Sequence, residues 1–180
     1  DMVLIDRAVN LVDERIDQAV RITNDLDPNL IARRLTVCRS VLCASPQYVQ
    51  DNPALRRVED LSLHNCLTHS YFGKSLWHFV VAGQPAAVAV SGNVSANEAS
   101  SLMQAALVGA GVALLPTYMA APLIRSGQLL SLLPHATPRE LSIYAVYTSR
   151  KHMSAGLRSL LDFLVQRFTP EPQWDKPVTA

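Results

Sequence analysis

The segment Ala105-Ala-Leu-Val-Gly-Ala-Gly-Val-Ala-Leu-Leu-Pro116 decides how the chain is read. Its first part continues a helical spacing from Leu102 through Ala105, Ala106 and Leu107. Gly109 can then take the left-handed conformation that closes a helix. Gly111 to Leu115 is a short unbroken apolar run, the mark of a strand buried on both faces. A helix, a tight glycine turn and a buried strand in twelve residues point to an α/β fold.

Outward from this segment the pattern repeats. Ala96-Asn97 is predicted to open the helix that Gly109 ends, after a turn at Ser91-Gly92. Downstream, Thr117 is predicted to cap a helix stopped by Gly127, followed by strands over 129–133 and 141–147. Ser154 caps a helix in which Leu157, Leu160, Leu161, Leu164, Val165 and Phe168 form one apolar stripe. A loose Pro-rich tail follows. Upstream, strands are predicted at 65–68, 76–81 and 86–90, the last two a hairpin around Gly83-Gln-Pro85. Ser45-Pro46 starts a short helix ending near Asn52-Pro53. Earlier strands are predicted at 2–5, 18–22, 30–35 and 40–44. A helix capped by Asp6 would carry Ala8, Leu11, Val12 and Ile16 on one face. The alternation predicts largely parallel sheets.

The 180 residues, 49% hydrophobic and 17% charged, suffice for one domain or two small lobes. A net charge of +1 gives no electrostatic footprint for nucleic acid. No secretion signal and no run of eighteen apolar residues stands in the sequence. Three unevenly spaced cysteines, Cys38, Cys43 and Cys66, fit a reducing cytoplasm rather than a disulfide framework. His64 and Cys66 lack the second pair that a zinc site needs, so no metal or cofactor is expected. Gly109-Ala-Gly111 follows a helix and precedes a strand, the reverse of a phosphate loop. Cys43 lies in an alternating strand and reads as a core residue rather than a nucleophile. Trp77 and Phe79 read as packing.

Three segments together resemble the effector-binding domain of LysR-type transcriptional regulators. They are 6–17 running into Ala19-Val-Arg-Ile22; Leu30-Ile-Ala-Arg-Arg-Leu35 with Val41-Leu-Cys-Ala-Ser-Pro46 and Tyr48; and 105–116. The resemblance covers about Val3 to Phe168. The family pattern has Asp at Asn10 and Gly at Arg15. It implies a two-lobed fold like the type II periplasmic binding proteins, with two crossing strands. Lobe one would hold 1–42 and 148–168, lobe two 43–147, and the tail 169–180. The crossings would be 41–44 and 145–148. The family's winged helix-turn-helix, linker helix, first strand and first helix have no counterpart here. That strand lies between those placed at Val3 and Ala19, so the sequence is expected to be incomplete or to receive the strand from another chain.

The resemblance also implies function. A small metabolite, such as a small organic anion, would bind between the lobes. Its binding would alter a homodimer or homotetramer that meets DNA through a helix-turn-helix outside this sequence. Candidate effector contacts are Thr23, Thr68, His69, Ser70, Ser95, Asn97 and Thr117, small polar residues after strands and at helix starts. Thr68, Ser70, Asn97 and Thr117 are equally readable as caps or turn residues, and His69 reads more readily as a surface or satisfied histidine. No convergent catalytic set is visible, and no enzymatic activity is expected. Two alternatives share the scaffold: a free-standing solute-binding protein of a transport system, and a two-lobed enzyme. The helix over 157–168 could serve packing or dimerisation.

Overall fold

The computed structural model describes residues 1–5, 9–71, 74–148, 153–168 and 172–175. The expected caps and contacts of Asp6 and Ala8 lie outside these residues, as does most of the tail. The chain divides into two compact units, Asp1–Cys38 with Glu140–Ala180, and Arg39–Arg139.

In order, the elements are β1 (Gln18–Thr23), β2 (Ile31–Cys38), β3 (Ser40–Ala44), α1 (Pro46–Asp51), a 3₁₀ helix (Val58–Leu63) and β4 (Cys66–His69). Next come β5 (Leu76–Val81), β6 (Gln84–Ala89), β7 (Ser95–Ala96), α2 (Ala99–Leu107), β8 (Val112–Pro116) and α3 (Thr117–Arg125). Last are β9 (Leu130–Ser131), β10 (Ala136–Pro138), β11 (Leu141–Tyr147), α4 (Ala155–Arg167) and a short 3₁₀ turn (Gln173–Asp175).

The first unit is a three-stranded antiparallel sheet ordered β1-β11-β2. The Leu35, Cys38, Ile143, Ala145 and Tyr147 side chains pack with Leu161 of α4. Ser154 caps α4 by accepting the Leu157 amide, 3.2 Å away. The helical stripe is only partly covered: Leu161 is buried, whereas Leu160 is 47% exposed.

The second unit is built on a five-stranded sheet ordered β7-β4-β8-β3-β9. Successive residues alternate between two cores, which explains its unbroken apolar strands. Leu42, Ala44, Cys66 and Val112 join Trp77, Phe79 and Leu61 on one side. Cys43, Leu67, Ala113 and Leu115 join Leu102 and Ala106 of α2 and Ala120 of α3 on the other. The first side is completed by a small antiparallel sheet, β10-β5-β6.

Several expectations need correction. Residues 2–5 form no strand; Met2, Val3 and Leu4 are largely exposed. The helix expected up to Ile16 is a single turn over 11–15. Asn10 accepts the Val12 amide at 3.0 Å, and Arg15, at φ +54°, reverses the chain. The sheets are mostly antiparallel: among the described pairings only β4 runs parallel to its neighbours, β7 and β8. The unit boundaries fall at 38/39 and 139/140, not at 42/43 and 147/148. The reason is that β11 pairs along its length with β1 and β2, which binds it to the first unit. The hairpin turn is Ala82-Gly83, both at positive φ, and Gln84 and Pro85 already belong to edge strand β6. Residues 129–133 hold only the two-residue β9, and β10 was not foreseen.

Candidate functional site

The parallel trio β7-β4-β8 sends three carboxyl ends to one edge of the second unit's sheet. Four of the expected residues meet there. Thr68 and Ser95 are direct partners across β4 and β7, and His69 pairs with Ala96. The Ser70 amide continues the ladder to the Ala96 carbonyl at 2.8 Å, and the Ser70 and Ser95 hydroxyls lie 3.3 Å apart. Thr68 is buried; His69 is half-buried and Ser95 exposed. Asn97 follows β7 directly and is exposed, with Glu98 between it and α2. Thr117 stands at the carboxyl end of β8.

Two expected roles change. Ala96-Asn97 does not open α2: Ser95-Ala96 is the short strand β7, and Glu98 is the N-cap. Thr117 is the first residue of α3 rather than its cap; Pro116 holds that position. The Thr117 hydroxyl and amide both donate to the Arg39 carbonyl, at 3.3 and 2.9 Å, tying α3 to the start of β3. Thr23 lies in the other unit, at the end of β1. Its hydroxyl accepts the Asp25 amide at 2.9 Å and closes a local turn.

Neither α2 nor α3 has a side-chain cap bond at its start. Each start brings the partial positive charge of a helix N-terminus to the sheet edge, although the Thr117 amide is already spent on Arg39. The edge thus brings hydroxyls, an imidazole and two helix starts together, a set suited to holding a small polar molecule. At α2 the Glu98 carboxylate, which accepts the Ser100 hydroxyl at 2.9 Å, adds negative charge.

Three supports went unseen in the sequence. Tyr71, exposed, donates its amide to His69 Nδ1 at 3.2 Å, and the two rings lie 6.1 Å apart. Asn65, at the opposite end of β4, exchanges bonds with Asn93: its Nδ2 donates to Asn93 Oδ1 at 2.8 Å, and its Oδ1 accepts the Asn93 amide at 2.9 Å. The same Nδ2 donates to the Ala110 carbonyl, so one side chain joins the approaches to β7 and β8 to the start of β4. Gly111 completes the fit. A Cβ there would stand 2.3 Å from the Asn65 carbonyl oxygen. Alternating hydrophobicity marks a strand but carries no sign of such crossing bonds.

Behind this edge, the Tyr48 hydroxyl accepts the Asn65 amide at 3.0 Å and lies 3.2 Å from His64 Nδ1. The tautomer of His64 sets which of the two groups donates across that contact. Nε2 is buried and has no hydrogen-bond partner among the described residues. Burial lowers the His64 pKa below its ordinary value, against the Asp60 carboxylate, which raises it.

Residues 3–169 match the family model described as the LysR substrate binding domain. The chain is 36% identical over 168 residues to the HTH-type transcriptional regulator DmlR of Escherichia coli, covering 91% of the chain and 53% of that protein. It is 32% identical to the HTH-type transcriptional activator TtdR of the same species, over 89% of the chain and 52% of that protein. It thus spans about half the length of these curated relatives. Among solved structures it is similar to the CrgA regulatory domain of Neisseria meningitidis, with a TM-score of 0.75 and 28% identity over 89% of the chain and 79% of that one. Full-length AphB of Vibrio cholerae shares the fold, with a TM-score of 0.81 at 23% identity, over 94% of the chain and 58% of that one.

Proposed function

The chain belongs to the LysR substrate-binding domain family, and from that membership we propose that it senses a small polar metabolite at the strand-end edge of its second unit. Membership makes it a LysR-type effector-binding domain. The observation that carries the location is the convergence of β7, β4 and β8, which gathers Thr68, His69, Ser70, Ser95 and Asn97 beside the uncapped starts of α2 and α3. In open α/β sheets ligands settle at such carboxyl ends.

A small organic anion suits the site best, because the first turn of α3 holds no acidic residue to oppose the partial positive charge of the helix start. Thr117 positions that start through Arg39 and contributes less as a direct ligand. Thr23 lies in the first unit, where its hydroxyl closes the local turn with Asp25. The whole regulator would be a cytoplasmic homodimer or homotetramer that binds DNA through a helix-turn-helix of the kind its HTH-type relatives are named for. The effector would act by population shift, moving the arrangement only as far as its differential affinity allows. A free-standing solute-binding protein is disfavoured, since the relatives are transcriptional regulators.

The test is a thermal-shift screen of the whole regulator against small carboxylic acids, amino acids and aromatic metabolites. A ligand at a hundred times its dissociation constant stabilises by about 2.7 kcal/mol. Thr68→Val, Ser70→Ala and Asn97→Ala should each reduce that shift. A shift unchanged in all three variants would place the site elsewhere. The absence of any ligand that both stabilises the regulator and alters its promoter binding would end the sensing role.

A further inference from the structure

The first unit's sheet carries a row of residues with a separate chemical meaning. Arg21 of β1 lies directly opposite Tyr144 of β11, and Tyr144 lies directly opposite Arg34 of β2. Residues opposed in register share a sheet face, so the three side chains stand in line, two guanidinium groups flanking one phenol. Neighbouring strands are about 4.8 Å apart, which leaves the two arginine Cα atoms roughly 10 Å apart, within mutual reach of long side chains across the ring.

Every polar group of this row is a donor or can become one. Arg21 spends one nitrogen on the Val9 carbonyl. Arg34 donates Nε to the Ser142 hydroxyl at 3.3 Å, a bond that does not use the paired outer nitrogens of its fork. Ser142, two residues along β11 on the same face, accepts that bond and keeps its own proton. Tyr144 is half-buried, Arg21 half-buried and Arg34 exposed. Among the described residues neither guanidinium meets a carboxylate. Two like charges held on one row repel, and no carboxylate among the described residues pairs with them.

We propose that the Arg21–Tyr144–Arg34 row, with Ser142, is an oxyanion-binding site of the first unit, taking a phosphate, sulfate or carboxylate group. The anion would sit over the phenol, with the free edge of Arg34 binding two of its oxygens and Arg21 closing from the other side. This row belongs to the first unit, and the effector edge to the second. Next along the same face, Ala19, Val146 and Ala32 pair in register.

Isothermal titration of the chain with inorganic phosphate, sulfate and acetate at constant ionic strength tests this. At least one should bind saturably, and the preference between tetrahedral and planar anions names the ligand's head group. Arg34→Gln should weaken binding at least tenfold, Arg21→Gln similarly, and Tyr144→Phe a few-fold. Arg33→Gln is the control. It removes the same charge one residue away, but Arg33 opposes Ala145 on the other face, so binding should be unchanged. No saturable binding of any of the three anions would overturn the proposal. So would equal losses in the Arg33 and Arg34 variants, because general charge attraction would then be the whole effect.

Discussion

At the residue scale, one substitution against family pattern has a legible cost. Three helical turns end in the same way: the amide after the reversing residue bonds five residues back, and the reversing residue bonds three back. This occurs at Gly109, with Ala110 bonded to Ala105, and at Gly127, with Gln128 bonded to Leu123. It also occurs at Arg15, with Ile16 bonded to Leu11. Two of the three reversing residues are glycine, which takes positive φ freely; an L side chain there costs about 1–2 kcal/mol. Arg15→Gly should therefore raise stability by about 1 kcal/mol, read as a higher melting temperature. The reverse holds at Gly111. Its φ is ordinary, but the Asn65 carbonyl fills the place of a Cβ. Gly111→Ala must displace backbone and should cost about 3 kcal/mol or more, measured by denaturant unfolding.

His64 makes a pH prediction at the same scale. Its folded pKa lies below the unfolded value of 6.5, because burial disfavours the charged ring. Between those two pKa values the unfolded chain binds more protons than the folded one, so stability rises with pH. The His64 contribution is complete above pH 6.5 and declines as pH falls toward the folded pKa. Melting temperature should drop from pH 7 to pH 5, and His64→Gln should drop less over that range. A parallel decline in both proteins would assign the effect to other groups.

At the element scale, what the sequence disclosed follows from what local chemistry decides alone. Ser45-Pro46 and Ser154 were readable as helix starts because cap geometry needs only neighbouring residues, and both serines accept the expected amide. Ser154→Ala should cost about 1 kcal/mol, seen as lower stability with fraying of α4. Thr117 looked the same and is not a cap, since the carbonyl of Arg39, 78 residues away, takes its hydroxyl. Thr117→Ala should loosen the β3–α3 junction rather than the helix end. Strand direction was misjudged for a related reason. Apolar runs show that a strand is buried on both faces, but not which way its neighbour runs. The five-stranded sheet buries β3 and β8 as an antiparallel pair. The candidate site was half legible: a strand end marked Thr68 to Ser70, Ser95 was reached through an expected helix start that is strand β7 instead, and the Asn65–Asn93 brace and Tyr71 depend on contacts across the fold.

At the scale of the whole molecule, the three cysteines divide between the two units and report on each. Burial pushes Cys38 up to about 11, helped by the Asp175 carboxylate, Cys43 up to about 12 and Cys66 up to about 11. Thiolate, the reactive form, is therefore scarce at neutral pH, and all three sulfurs are shielded. A thiol reagent should leave the native chain unlabelled and modify all three sites after denaturation. In intermediate denaturant, Cys38 reports on the first unit, whereas Cys43 and Cys66 report on the second. Mass spectrometry of the labelled peptides distinguishes separate opening from one concerted transition.

The pairing of Cys38 with Leu141 has a consequence for how such a chain can be inherited. Residues 39–139 leave the first unit and re-enter it at two cross-strand neighbours, about 5 Å apart. The second unit is thus a graft set into a hairpin: excising it would leave two ends that a short turn could join. Recombination could exchange one inserted unit for another without rethreading the host sheet, so ligand choice and host scaffold are free to evolve on separate clocks.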